Sequence, residues 1–392
     1  MELTRKQEEG LKTIVDRYYH HDKFTVIAGY AGVGKSTLVR FAIEALGVLP
    51  ESVAYATYTG KAAEVLRKKG NSGAITLHRL LYESVPKKEG GFYRRKRKSL
   101  DYRIVVVDEV SMVPKSMIDL LLSYPVYVIF LGDNGQLPMI DPKEEHGLLL
   151  HPHVFLDEVM RQAAESEIIR LTMKIRNGEE IPFIKGNEVQ IFPRKELVNG
   201  MLGWADVVLC ATNNTRHNLN QQIRAMKGFI GDICDGETLI FKRNYWDDCN
   251  EDGDALVNGT IGTYYAPKND ILTIPYNINT DKRDIPIYNG EFIPDGGKSF
   301  GGIAIDKQFL LEENYGISWK VAYQLGKRKL QIGDILPKQA TYGYSLTCHS
   351  AQGSEWSNVL VVEENFPFDE SDHKRWLYTA CTRASDKLVL VR

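Results

Sequence analysis

Hydrophobic positions in the first part of the chain gather into short, mostly apolar runs at Phe24–Ala28, Ser52–Thr57, Ile104–Val107 and Tyr127–Leu131. Runs of this length, without a strict in-out alternation, predict strands buried on both faces. Longer mixed stretches separate them, and Thr37–Leu46 reads as a helix. Strand–helix alternation through residues 1 to about 150 predicts a parallel sheet covered on both sides. The rhythm breaks between His78 and Asp101, where Lys87–Lys98 holds seven basic residues around Gly90-Gly91-Phe92-Tyr93. A Gly-Gly pair between strand-like pieces predicts a β-hairpin there. A second α/β pattern starts near Val154, with strands expected at Val207–Ala211 and Val359–Glu363. Between them, from about Glu237 to Ala340, Gly, Asp and Asn are frequent and β-like pieces such as Ile271–Pro275 are short. This predicts a small all-β insertion in the second α/β domain.

Composition narrows the class. At 392 residues the chain calls for two or more domains. Its 43% hydrophobic and 26% charged content is that of a globular protein. A net charge of −2 means that any nucleic-acid site must be a local basic patch. The five cysteines, at 210, 234, 249, 348 and 381, are odd in number and contain no C-x-x-C pair. They therefore favour neither a disulfide framework nor a zinc site. Met1–Gln7 is polar, and no apolar stretch approaches a membrane span. The expected compartment is the cytosol, with no membrane partner.

The chemistry begins at Gly29-Tyr30-Ala31-Gly32-Val33-Gly34-Lys35-Ser36-Thr37, which fits G-x-x-x-x-G-K-[ST] without a mismatch. Between a strand and a helix N-terminus, such a loop cradles a polyphosphate with its backbone N–H groups and the positive end of the helix dipole. Lys35 would reach the β/γ oxygens and Ser36 would ligate Mg²⁺. The run Ile104–Val107 then delivers Asp108 and Glu109 to a strand's carboxyl end. Asp108 is placed to hold the metal, and Glu109 to orient and deprotonate an attacking water. After the next strand, Gly132-Asp133-Asn134-Gly135-Gln136-Leu137-Pro138 offers Gln136 to the γ-phosphate or that water. These residues predict ATP and Mg²⁺ as cofactors.

A longer motif series runs from Gln7 in Leu3-Thr4-Arg5-Lys6-Gln7, through the phosphate loop, Ala56–Ala63 and Ile75–His78, to Val107–Met112 and Gly132–Pro138. It continues with Met160-Arg161-Gln162, Thr347–Glu355 and Tyr378–Ala384. As a set it resembles a superfamily 1 DNA helicase of the RecD/Dda type, and the compact length is similar to phage Dda-type helicases. The resemblance implies an α/β fold of two RecA-like P-loop motor domains, with a β-hairpin insertion in the first and a small SH3-like all-β insertion in the second. The expected boundaries are 1–150 with a hairpin at about 79–101, then 151–236 with 341–392, and 237–340 for the insertion. Val257–Gly262 resembles the turn leading into that insertion.

Roles carried over position by position make Gln7 the adenine reader, Arg161 and Arg383 arginine fingers from the second motor domain, and Glu355 a ribose contact. Thr57, Thr59, Lys61, Thr76 and His78 in the first domain resemble contacts to a DNA strand, as do Thr212, Asn213, Arg216, Thr347 and His349 in the second. Phe92 and Tyr93 are expected at the tip of a strand-separating pin, stacking on the terminal base pair. Ser350 stands where the family usually carries Lys, and Met139 replaces a common second Pro. No nuclease domain is expected before Leu3, which sets aside a relaxase–helicase fusion.

The expected activity is ATP-dependent 5′→3′ translocation on single-stranded DNA and unwinding of forks, in replication, repair or recombination, by a monomer in the cytosol of a cell or a phage-infected bacterium. Two alternatives are a superfamily enzyme that acts on RNA or moves without unwinding, and a nucleotide-dependent clamp or switch. Glu109 and the two candidate fingers weigh against a pure switch.

Overall fold

In the computed structural model the described residues are 3–86, 92–138, 141–160, 165–251, 255–275, 282–313, 336–364 and 369–392. The chain separates into two units, one formed by Met1–Glu83, Lys96–Asn213 and Leu346–Arg392, the other by Ser84–Arg95 and Asn214–Ser345.

The strands begin, in chain order, with β1 (Phe24–Gly29), β2 (Val53–Thr57), β3 (Ile75–Thr76), β4 (Tyr82–Pro86), β5 (Phe92–Lys96), β6 (Ile104–Val107), β7 (Tyr127–Gly132) and β8 (Val154–Leu156). β9 (Val189–Phe192), β10 (Val207–Cys210), β11 (Glu237–Phe241), β12 (Tyr245–Cys249), β13 (Ala255–Leu256) and β14 (Ile261–Pro275) follow. The last are β15 (Lys282–Pro294), β16 (Phe300–Asp306), β17 (Ala340–Tyr342), β18 (Ser345–Thr347), β19 (Trp356–Val362) and β20 (Ala384–Val391).

The first sheet has the order β3-β2-β6-β7-β1-β8, with every adjacent pair parallel. Its apolar runs are continuous because alternate residues feed opposite cores. Ile27, Ile104, Val106, Ile129 and Leu131 pack with Ile14 of the helix Arg5–Tyr19 and with Leu38, Val39 and Ala42 of the helix Lys35–Ala45. Their neighbours Val26, Val105, Val107, Val128 and Phe130 face Leu77, Leu80 and Leu81 of the helix Leu77–Leu81 and Met117, Ile118 and Leu121 of the helix Lys115–Leu121. The second sheet of this unit has the order β18-β10-β19-β20-β9, parallel from β10 through β9.

The second unit contains the antiparallel sheet β16-β15-β14-β11-β17. Phe241, Tyr264, Phe292 and Tyr342 fill its core, with the Phe241 and Phe292 rings edge to face at 4.8 Å. The Tyr264 hydroxyl donates to Ile303 O at 2.7 Å, so the ring is buried without an orphaned polar tip. At one side Glu237, fully buried, accepts from Arg224 Nε at 2.6 Å and Nη2 at 2.9 Å and from Cys234 N at 2.8 Å.

Two expectations need correction. β8 does not open the second α/β pattern; Ile27 pairs with Val154, making it the edge of the first sheet. The 237–340 segment is not all-β, because Asp306 caps the helix Lys307–Glu312 by accepting from Phe309 N at 3.0 Å. Phe92 and Tyr93, expected at a pin tip, begin β5, which forms a two-stranded sheet with β4, and Gly90 and Gly91 lie outside the described residues. Among the described residues, no helix is long and apolar enough to cross a membrane.

The buried Arg224–Glu237 pair yields a stability prediction. Glu237→Ala leaves a guanidinium buried without its counter-charge and should cost about 3–5 kcal/mol. Urea unfolding of the variant should show this loss, and a change under about 1 kcal/mol would contradict the pair's role.

Candidate nucleotide site

The phosphate loop leaves β1 at Gly29, where a Cβ would lie 2.6 Å from Leu156 O and 2.9 Å from Val33 Cγ2. Gly32 and Gly34 take φ of +77° and +79°, the left-handed region that favours glycine. Gly34 caps the helix Lys35–Ala45, and a glycine cap has no side chain to occupy the helix's first N–H groups. An anion is therefore the fitting partner for that helix end. Lys35 Nζ is folded onto the loop, donating to Gly29 O at 2.7 Å and Tyr30 O at 2.9 Å.

β6, β7 and β1 are neighbours, so their carboxyl ends bring Asp108–Glu109, Asp133–Gln136 and the phosphate loop to one cleft. The cleft measures about 600 Å³ and is lined by Lys35, Ser36, Asp108, Gln136, Glu355 and Arg383 among others. Burial, reinforced by the neighbouring Glu109, pushes the Asp108 carboxyl above its usual range, while Lys35 pulls it down. Asp108 Oδ1 accepts from Glu109 N at 2.8 Å. A half-buried carboxylate in the same cleft as Ser36 and the phosphate loop fits a hard divalent cation that keeps water and phosphate oxygens as its other ligands. Among the described residues, no group of three or more His, Cys, Asp or Glu could hold a metal ion by itself.

Glu109 has φ +53°, a strained conformation for a residue with a Cβ. Its carboxylate meets residues from both sheets. With its amide in the orientation that satisfies both neighbours, Gln136 donates its nitrogen to Glu109 Oε2 at 3.2 Å and accepts from Arg383 Nη2 at 3.0 Å. Arg383 Nη1 lies 3.5 Å from Glu109 Oε1. Arg383 follows the helix Glu370–Cys381, is 4% exposed, and also donates to Thr379 O, Ser354 O and Thr382 Oγ1. Glu355, on the same side, pairs with Lys69 at 2.6 Å across the cleft mouth.

Other expected residues have different occupations. Gln7 is 1% exposed: its Oε1 accepts from Thr4 N at 3.0 Å, and its Nε2 donates to Val33 O at 3.1 Å. It completes a helix capping box and props the phosphate loop from behind. Arg161 lies outside the described residues, although Met160 N donates to Gly32 O at 3.1 Å. Thr59 and Thr76 are helix N-caps, accepting from Ala62 N and Arg79 N, and buried Thr57 donates to Thr59 O. Lys61 is ion-paired to Glu64 at 3.1 Å, and His78 stacks on Tyr82. Thr212 is engaged by Glu364, whose carboxylate accepts from Ala211 N at 2.6 Å and Thr212 N at 3.0 Å, while Asn213 is exposed at the start of the following helix. Thr347 shares a hydrogen bond with Ser350 at 3.0 Å, and burial lowers the His349 imidazole below its usual range. Arg216 requires correction as a strand contact. It is 3% exposed, donates to Thr341 Oγ1 at 2.9 Å and is ion-paired to Glu313.

Sequence reasoning assigned no role to Asp133, Gln352, Tyr378 or Thr379. All four bridge the sheets at this cleft. Tyr378 OH donates to Asp133 Oδ2 at 2.5 Å and accepts from Ala31 N at 3.2 Å. Leu137 N donates to Thr379 Oγ1 at 2.9 Å, and Gln352 Nε2 donates to Leu137 O at 2.8 Å. These residues lie inside or beside quoted motifs, but pairings across more than two hundred positions leave no local signature.

Comparisons with known proteins agree with this geometry. A family model described as an AAA domain matches residues 2–195, and one described as a UvrD-like helicase C-terminal domain matches 342–391. The chain is 27% identical, over 98% of its length and 49% of the relative's, to the ATP-dependent RecD2 DNA helicase of Deinococcus radiodurans. It is 29% identical to the ATP-dependent DNA helicase dda of Enterobacteria phage T4 over 45% of this chain and 43% of that protein. The chain thus spans about half or less of the length of these curated relatives. A solved structure of the Pif1 helicase from Bacteroides, in complex with ADP-AlF3 and ssDNA, covers all of this chain and 92% of its own with a TM-score of 0.51 and 16% identity, a likeness of fold. By motifs and relatives together, the chain is similar to superfamily 1 helicases of the RecD/Dda type.

The loop geometry sets the next expectation. A Cβ on Gly34 would come within 2.5 Å of Gln7 Nε2 at a φ that already disfavours side chains. Gly34→Ala should therefore cost roughly 1–3 kcal/mol in stability and abolish binding of a fluorescent ATP analogue. Unchanged affinity would contradict the assignment of this loop as the phosphate cradle.

Proposed function

We propose that this chain is an ATP-dependent DNA helicase that moves 5′→3′ along single-stranded DNA. The observation that carries the reading is the Glu109–Gln136–Arg383 cluster, in which a guanidinium from one sheet meets a carboxylate and an amide from the other beside a phosphate loop. Hydrolysis of a triphosphate spreads negative charge over the γ-phosphoryl oxygens, and guanidinium groups stabilise it. The loop amides and Lys35 would hold the polyphosphate, with Lys35 exchanging its carbonyl partners for phosphate oxygens. Ser36 and Asp108 would hold Mg²⁺, which neutralises phosphate charge when bound. Glu109 would orient the attacking water and take its proton, with Gln136 beside it.

Because Arg383 comes from the other sheet, catalysis requires the two sheets to be held in one arrangement, and nucleotide turnover changes what holds them. Alternating that arrangement while gripping a strand is the basis of a motor. The names of RecD2 and dda as ATP-dependent DNA helicases, and the single strand in the Pif1 complex, support DNA as the track. The resemblance to the RecD/Dda type supports the 5′→3′ direction. The basic ribbon formed by β4 and β5 is the proposed strand separator, the SH3-like character of the insertion is part of the same reading, and a monomer in the cytosol suffices.

ATP hydrolysis should rise strongly with single-stranded DNA, and equal rates with and without it would refute the motor reading. Arg383→Ala should keep most nucleotide binding and lose roughly 10³–10⁵ in turnover, whereas a loss of about tenfold or less would mark an ordinary ion pair.

Direction is read from two partial duplexes. The one with a 5′ single-stranded tail should open and the one with only a 3′ tail should not; the reverse preference would overturn the polarity.

A further inference from the structure

Tyr378 lies in the buried core of the helix Glu370–Cys381, yet its hydroxyl reaches two elements of the first sheet. It donates to Asp133 at 2.5 Å and accepts from the Ala31 amide of the phosphate loop at 3.2 Å. Asp133 is 2% exposed, and burial pushes its carboxyl above the usual range against the pull of Lys35 and of the tyrosine hydrogen bond. Its other oxygen accepts from Gly135 N at 2.8 Å, which shapes the turn that presents Gln136. The Tyr378 ring packs on that same turn, since a Cβ on Gly135 would sit 3.3 Å from Tyr378 Cε1. One residue further, Leu137 has its N–H bound by Thr379 and its carbonyl by Gln352. Five residues beyond Tyr378 the chain delivers Arg383 to Glu109 and Gln136.

We propose that Tyr378 is a positioning residue for hydrolysis, its hydroxyl keeping the phosphate loop, the Gln136 turn and the Arg383 helix in a single register. This rests on the ATPase reading above. The argument is geometric. The Ala31 amide belongs to the phosphate loop, and Asp133 to the turn that carries Gln136. A shift of either would therefore be felt by the helix that precedes Arg383. A bond that only stabilised the fold would have no reason to engage the phosphate loop. Tyr378 has no place in the chemical step itself; it acts through Gln136 and Arg383.

Tyr378→Phe retains the ring and its packing and deletes both hydrogen bonds. With single-stranded DNA present, the turnover number should fall roughly 10- to 100-fold, the size expected for losing a hydrogen bond to a buried charged group in the reactive arrangement. Affinity for a fluorescent ATP analogue should stay within about threefold, which separates positioning from binding. Asp133→Asn reads the same bond from its other end, should lower turnover in the same way, and serves if Tyr378→Phe does not fold. In the double variant the two losses should not multiply. Turnover within about twofold of the parent, or a lowered melting temperature with normal turnover below it, would assign the hydroxyl to stability alone and overturn the proposal. Independent, multiplying losses would overturn it as well. A parent protein that hydrolyses no ATP with DNA present would refute the underlying reading first, a result distinct from both.

Discussion

A guanidinium removed from water must find a counter-charge and acceptors nearby, or the desolvation cost is several kcal/mol. Arg383, at 4% exposure, finds part of that match on another sheet, in Glu109 and Gln136, and the remainder in Thr379, Ser354 and Thr382. Within the cluster the guanidinium, the carboxylate and the amide are partners of one another. Arg383, Glu109 and Gln136 thus form one contact between the two sheets of this unit. On the proposed reading, a nucleotide that recruits Arg383 would compete with Glu109 and Gln136 for it.

That cluster exists because of strand order. In a parallel sheet all carboxyl ends lie on one edge, and loops from adjacent strands converge there. The order β6-β7-β1 places the acidic pair, the glutamine turn and the phosphate loop side by side although they are far apart in the chain. The same edge carries left-handed conformations at Gly32, Gly34 and Glu109. At the first two positions glycine makes the conformation cheap. At Glu109 the strain is retained, and it turns the carboxylate toward Gln136 and Arg383.

The hydroxyl and cationic residues expected along a strand track illustrate a different balance. A Thr just before a helix satisfies an orphan N–H more readily than it waits for a ligand, and Thr59 and Thr76 do this. Arg216 and Lys61 lie close to acidic neighbours in the fold, Glu313 and Glu64, which consume their charge. Glu364 fills the seat made by the Ala211 and Thr212 amides with its own carboxylate. A motif register carries residue types forward faithfully; what each side chain touches depends on neighbours that the register does not describe.

By itself the sequence determined the elements whose cause is local. The buried strands were legible because sheets covered on both faces demand continuous apolar runs, and β1, β6 and β7 begin at the expected residues. The phosphate loop was legible because glycine spacing, Lys35 and Ser36 state their chemistry without reference to anything distant. Asp108, Glu109 and Gln136 followed from their places at strand ends. Tertiary structure decided the rest. It gave β8 to the first sheet, because Val154 finds Ile27 beside it, a pairing no periodicity encodes. It buried Gln7 as a prop and Arg216 as an ion pair, and it joined Tyr378 to Asp133 and Ala31 across the cleft. Hydrogen bonds between residues hundreds of positions apart depend on sheet order and helix docking, which are properties of the folded chain and not of any segment within it.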